Sequence, residues 1–195
     1  METNTTAASY FNIFITGHLE SANFPLGPEA KDIFCRYEAF AGPDWELVSG
    51  TKNGITQLAS NRNGNFNDPI VFNMPIELTY RSTNVFGWPQ LIVCVYGRTR
   101  WGIETSLGYS RLHVPVFGSG TNQRIVAPIL KPRCSNAMAD VTSWITGRNP
   151  ELKDSKILLD NTKTKAFLII VLGKHKNNKQ KGIKFGRAEL RISTT

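Results

Sequence analysis

The stretch S-T-N-V-F-G-W-P-Q-L-I-V-C-V-Y-G, residues 82–97, decides the fold of this chain. Its second half, Leu91 to Tyr96, is a nearly continuous apolar run, suited to a central strand buried on both faces. Trp88-Pro89 leads straight into that run, so Pro89 stands at the strand entrance, where no ladder N–H is required. Gly87 lets the backbone turn tightly, and Asn84 can cap that turn with its amide. No nucleophile, acid or base stands among Phe86, Gly87, Trp88 and Pro89. These four residues are therefore assigned a structural role.

Outward from this run, period-two patterning and turn residues dominate. Phe11, Ile13 and Ile15 alternate with polar Asn12 and Thr16, and Gly17 is placed at a bulge. Ile33 to Phe40 follows and ends at Gly42-Pro43, and Ile55 to Ala59 is short and strand-like. Ile70 to Tyr80 reads as two strand pieces separated by Pro75, a residue that belongs at an edge or a bulge. Leu112 to Phe117, Arg124 to Leu130, the buried run Ala166 to Leu172 and Ile183 to Ile192 complete the set. About eight or nine short strands with regular turn signals are the signature of an antiparallel β-sandwich. Phe86 and Trp88 are expected to cover one of its ends. One short helix is expected where Met138, Val141, Trp144 and Ile145 recur at helical spacing, with Gly147 as its C-cap.

A length of 195 residues fits one domain with short tails: residues 1–9 as a flexible N-terminus, 10–192 as a single domain and 193–195 as a tail. The N-terminus lacks a basic region and a long apolar run, so a soluble intracellular protein is expected. Cys35, Cys94 and Cys134 are widely spaced and odd in number, which indicates neither a zinc site nor a disulfide framework. The net charge of +8 is unevenly spread. Residues 1–97 carry five Lys and Arg against nine Asp and Glu, whereas residues 98–195 carry eighteen against six. The split points to a basic face or tail with an anionic partner.

Motifs for catalysis are missing: no G-x-S-x-G, H-E-x-x-H, P-loop or dinucleotide fingerprint occurs. A Cys94/His113 thiol dyad can be drawn, but Cys94 lies inside the apolar run, where a thiol usually acts as an inert small hydrophobe. The aspartates are scattered singly, without the paired carboxylates that calcium requires. The lysine cluster K-H-K-N-N-K-Q-K at 174–181 has no interleaved aromatics for stacking bases, which argues against nucleic acid. It reads either as a solvated loop or, with Lys184, as a contact for anionic lipid or an acidic protein. The candidate contact residues are Lys174, Lys176, Lys179, Lys181 and Lys184. No cofactor, metal or small-molecule substrate is implied.

Six segments together resemble the B9 domain family: H-L-E-S-A-N-F-P (18–25), G-P-D-W (42–45), S-T-N-V-F-G-W-P-Q-L (82–91), V-Y-G (95–97), G-Y-S-R-L-H-V-P (108–115) and S-W-I-T-G-R-N-P-E (143–151). The resemblance spans about residues 10 to 173. It implies a C2-like β-sandwich with a non-enzymatic part in the ciliary transition zone, at the base of the cilium. It further implies association with other B9-domain proteins and with Meckel-syndrome and tectonic proteins. Such an assembly supports ciliogenesis and limits exchange between ciliary and plasma membranes. A second reading is a calcium-independent lipid-binding module that uses the basic half.

Overall fold

The computed structural model describes residues 9–23, 32–60, 69–98, 102–115, 123–131, 137–146, 148–159 and 182–194. For Gln123, Ala137, Ala139, Asp140, Trp144 and residues 182–194 it describes the backbone alone. The strands are β1 (Phe11–Asn23), β2 (Asp32–Phe40), β3 (Trp45–Gly50), β4 (Asn53–Ile55), β5 (Ile70–Ser82), β6 (Gln90–Arg98), β7 (Glu104–His113), β8 (Gln123–Pro128) and β9 (Gly182–Thr194). They form two antiparallel sheets, one in the order β3-β5-β1-β9-β8 and one in the order β4-β2-β6-β7. The all-β sandwich expected from the strand spacing is what the chain builds.

The apolar run Leu91–Tyr96 occupies β6, between β2 and β7. Strand periodicity sends alternate side chains to opposite faces, and both faces are covered. Leu91, Val93 and Val95 point into the core between the sheets, together with Ile13, Ile33, Cys35, Phe72 and Leu78. Ile92 and Cys94 point outward, where Phe40, Tyr109 and Leu158 enclose them. Leu158 belongs to a short 3-10 helix, Ser155–Leu159. The chain from Asn149 to Leu159 is strapped across this outer face by polar anchors. Tyr96 donates to Glu151 at 2.6 Å, and Asn149 Nδ2–H donates to the Ser106 carbonyl at 2.8 Å. The Leu152 N–H donates to the Tyr109 hydroxyl at 3.0 Å, and Arg111 donates to the Leu158 carbonyl at 2.8 Å. A continuous apolar strand thus has an apolar neighbour on each side.

Several expectations are corrected. Ile70–Tyr80 is one strand, because the irregularity lies at Asn73, whose φ of 48° marks the left-handed region. There the pairing with β1 shifts between Leu19 and Ser21. Pro75 pairs with His18 in the continuous strand, beyond the end of β3, whose last partner is Leu78. The N-terminal strand is longer than its apolar core suggests, and it is central in its sheet. β1 pairs with β5 on one side and β9 on the other, from Phe11 onward. Its register with β9 is interrupted between Thr16 and Leu19, around Gly17. No strand is expected at β3, and the strand expected over Leu112–Phe117 overlaps β7 only at Leu112 and His113, since β7 begins at Glu104 and ends before Val114. The Ile55–Ala59 segment contributes only the end of β4 and one bridge, Ala59 to Ile33.

β9 continues to Thr194, two residues past the expected end of the domain. The helix expected near Met138 is present as α1, Ala137–Thr146, with Met138, Val141 and Ile145 exposed. Gly147, Cys134, Phe117 and the Ala166–Leu172 run lie outside the described residues.

Candidate protein-contact site

At the entrance to β6 two separate motifs meet. Trp45, from G-P-D-W, is buried at the start of β3. Its ring makes edge-to-face contacts with Trp88 (centroids 5.3 Å apart), Phe11 (5.5 Å) and Tyr80 (6.3 Å). Aromatic pairs in this geometry add about 0.5–1.5 kcal/mol each beyond area burial. Both indole N–H groups find backbone acceptors, as buried donors must. Trp45 donates to the Phe86 carbonyl at 2.7 Å, and Trp88 donates to the Val114 carbonyl at 2.8 Å. The Val114 N–H in turn donates to the Pro89 carbonyl at 3.1 Å. The end of the sandwich is therefore closed by residues from three of the six resembling segments.

The turn between β5 and β6 is held as tightly. The Asn84 side-chain oxygen accepts the Phe86 N–H at 3.0 Å, the amide capping expected from the sequence. Ser82 Oγ donates to the Asp44 carbonyl at 2.9 Å. Gly87 adopts φ +72°, and the Gly42 N–H donates to its carbonyl at 2.8 Å. A Cβ on Gly87 would stand 2.5 Å from Gly42 Cα, and one on Gly42 would stand 2.9 Å from Gly87 Cα. Two backbones touch there without room for a side chain.

Phe86 departs from expectation. It does not cover the end of the sandwich but projects from it, 77% exposed, beside Val85 at 60%. The backbone that carries them is pinned by the Trp45 and Asn84 bonds, so the pair forms a fixed apolar knuckle. Asp44 is exposed beside it, with Asn84 Nδ2–H reaching its carboxylate at 3.4 Å, while Glu46 stands opposite Arg81 in the β3–β5 pairing. The sequence marks Phe86 as a residue of this end, but the pinned turn aims its ring outward. A signal was present: the turn itself needs only Asn84 and Gly87, which leaves Val85 and Phe86 without a local task.

Cys94 and His113 are not brought together. His113 pairs with Gln90 and Cys94 with Tyr109, four positions apart on β6, a separation of about 13 Å along a strand. Burial pushes the Cys94 thiol up to about 11, and burial also drives Cys35 upward, with Cys94 adding to the effect. The two cysteines point to opposite faces of the sheet and do not pair. Among the described residues, no three His, Cys, Asp or Glu side chains come together as a cation site. Lys174, Lys176, Lys179 and Lys181 lie outside the described residues, and Lys184 sits on β9 between Ser21 and Val126.

His113 is held below its ordinary value by burial and by the Arg111 guanidinium, whose Nη2 stands 2.7 Å from its Nε2. A depressed folded value means that the unfolded chain binds the proton more readily. Stability should therefore fall as pH drops below about 6.5. His113→Gln is expected to flatten that loss between about pH 7 and 5, measured by denaturant titration at each pH. An unchanged pH slope would show that His113 does not contribute.

The chain is thus a two-sheet antiparallel sandwich with a braced aromatic end and an outward apolar knuckle. The family model described as "B9-C2: Ciliary basal body-associated, B9 protein" matches residues 13–174, and the chain belongs to this family. It is 57% identical over 164 residues to the B9 domain-containing protein 1 of Drosophila melanogaster, an alignment covering 82% of this chain and 68% of that one. With the B9 domain-containing protein 1 of Homo sapiens it shares 36% identity over 154 residues, 79% of this chain and 72% of the relative. The B9 domain-containing protein 2 of Xenopus laevis is 24% identical over 161 residues, 83% of this chain and 86% of that one.

Proposed function

We propose that this protein is a non-enzymatic structural subunit of an assembly at the base of the cilium, in the transition zone. There it associates with other B9-domain proteins and with Meckel-syndrome and tectonic-like components. The assembly supports ciliogenesis and limits exchange between the ciliary and plasma membranes. Membership of a ciliary basal body-associated family supports the place. The observation that carries the scaffold role is the braced Val85–Phe86 turn, where fixed apolar surface is held out to solvent. Covering apolar groups held in water by a partner's apolar surface is favourable. Ordering them in advance lowers the entropic cost of binding.

The test has two parts. A tagged copy in a ciliated cell should concentrate between the basal body and the axoneme. Co-expressed with its sister B9-domain proteins, the chain should elute from a sizing column as a defined complex with an interface of at least about 1,000 Å². Diffuse staining together with a monomer that ignores those sisters at micromolar concentration would overturn the proposal.

A further inference from the structure

We propose that the Asn149–Leu159 strap is a proton-sensitive cover of the outer sheet face, latched by Arg111 and released when His113 takes up a proton. The strap adds Leu152, Leu158 and Leu159 to an apolar layer with Phe40, Ile92, Cys94 and Tyr109. Between Asn149 and Leu159 the chain forms no strand, so the sheet holds it through side chains. The Asn149 N–H donates to Thr105 Oγ1 at 2.8 Å, and the Leu152 N–H to the Tyr109 hydroxyl at 3.0 Å. Ser155 Oγ donates to the Glu38 carboxylate at 3.0 Å. A surface segment held in this way opens at lower cost than the hydrogen-bonded strands beneath it.

A guanidinium ties the far end of the strap to β7. Arg111 Nη1 donates to the carbonyls of Leu158 at 2.8 Å and Leu159 at 3.3 Å, while its Nη2 stands 2.7 Å from His113 Nε2. A guanidinium has donors only, so His113 Nε2 is the acceptor and the ring is neutral. Protonating Nε2 removes that acceptor and sets two cations in contact. His113 is exposed, so a proton reaches it without any prior opening. Arg111 relieves the repulsion by swinging away, which frees both carbonyls. The imidazole is held below its ordinary value by burial and by Arg111. The closed strap therefore binds the proton less readily than the open one, and opening gains as pH falls through about 6.5.

The charged groups of the described elements around this corner are of other kinds. On β6, Gln90 and Ile92 stand opposite His113 and Arg111, and neither is charged. On β2, Glu38 stands opposite Ile92, and Lys52, ahead of β4, lies over the Phe40 ring. Lys131 follows Leu130, which bridges to Tyr109, and Glu104 sits at the far end of β7. The strap carries Glu151, Lys153, Asp154 and Lys156, with Arg148 just before it. Histidine is the one side-chain type in this set that ordinarily changes charge between about pH 5 and 8.

Native-state hydrogen exchange on the full chain tests the latch, with intrinsic rates corrected for pH. The reporters are the strap amides of Asn149 and Leu152, set against the amides of β6. In the parent, the strap amides should exchange through a local opening that low denaturant does not accelerate, whereas the β6 amides should exchange through an unfolding that it does. Between about pH 7.5 and 5.5, strap protection should fall about 3- to 10-fold, the upper limit being one pH unit below the ordinary value of histidine. His113→Gln keeps a neutral acceptor and should hold its pH 7.5 protection throughout. His113→Lys fixes a charge beside Arg111 and should show low strap protection at both pH values. The β6 amides report in each variant that the sandwich is folded. Strap amides that share the protection and denaturant slope of β6 would show that the strap opens only with the whole fold, which overturns the proposal. Strap protection that ignores pH overturns it as well, as does an acid loss that persists in His113→Gln.

Discussion

Trp45→Ala is expected to destabilise the protein by about 3–5 kcal/mol, the range for truncating a buried aromatic side chain. For a chain of this length that corresponds to a fall of roughly 6–20 °C in melting temperature. The ring is only 8% exposed and touches three other rings, from β1, from β5 and from the turn into β6. Removing it leaves a void among them and takes the donor from the Phe86 carbonyl. Trp88 contributes less, since it is only partly buried and its ring flanks Trp45. Trp88 covers this end as expected, packed on Trp45 and bonded to the Val114 carbonyl, with Trp45 the more deeply buried of the two. Trp45→Phe separates two effects: it keeps most of the apolar contact and forfeits the hydrogen bond, at about 1 kcal/mol. Denaturant unfolding with an unchanged m-value would report these differences as stability alone. A melt of Trp45→Ala within about two degrees of the parent would sink the account.

How much of this was legible depended on whether a pattern was local. The run Leu91–Tyr96 announced a strand covered on both faces because its alternate positions are all apolar, and β6 is that strand. What covers its outer face was not legible. The Asn149–Leu159 strap is held by side chains of Tyr96, Tyr109 and Arg111, which are at least forty positions away in sequence. Hydrogen bonds of that kind leave no periodicity. Sheet order was equally hidden: Phe11, Ile13 and Ile15 announce a strand, but only the pairing with β5 and β9 shows that it is central. Pro75 gives the place but not the consequence. Its place at a locally unpaired edge, beyond the end of β3 and next to the bulge, is the one expected of a proline, but at such a place it costs the ladder nothing and the strand runs on unbroken. The candidate site was half legible. Asn84, Gly87 and Pro89 could be assigned from turn chemistry, while the direction of Phe86 depends on Trp45, a residue of another motif.

Gly87→Ala is the second substitution with a large expected effect, about 2–5 kcal/mol, because two independent costs fall on one methyl group. The first is conformational. At φ +72° an L side chain sits in the left-handed region, which costs about 1–2 kcal/mol. The second is steric: the new Cβ would lie 2.5 Å from Gly42 Cα, a backbone atom that cannot rotate away. Overpacking of this kind costs typically about 1–3 kcal/mol, and relieving it would pull apart the Gly42 N–H and the Gly87 carbonyl. The molecule supplies controls for each cost. Gly102 has φ +77° but nothing within 4 Å of an added Cβ, so Gly102→Ala should pay the conformational cost alone, about 1–2 kcal/mol. Gly42 lies outside the left-handed region and would place its Cβ 2.9 Å from Gly87 Cα, so Gly42→Ala should pay mainly the steric cost. The expected order of destabilisation is therefore Gly87→Ala first, then Gly42→Ala, each measured by chemical denaturation against the same parent. If Gly87→Ala loses no more than Gly102→Ala, the two backbones are not in contact. The knuckle would then have no rigid base, and the preorganisation argued for Val85 and Phe86 would go with it.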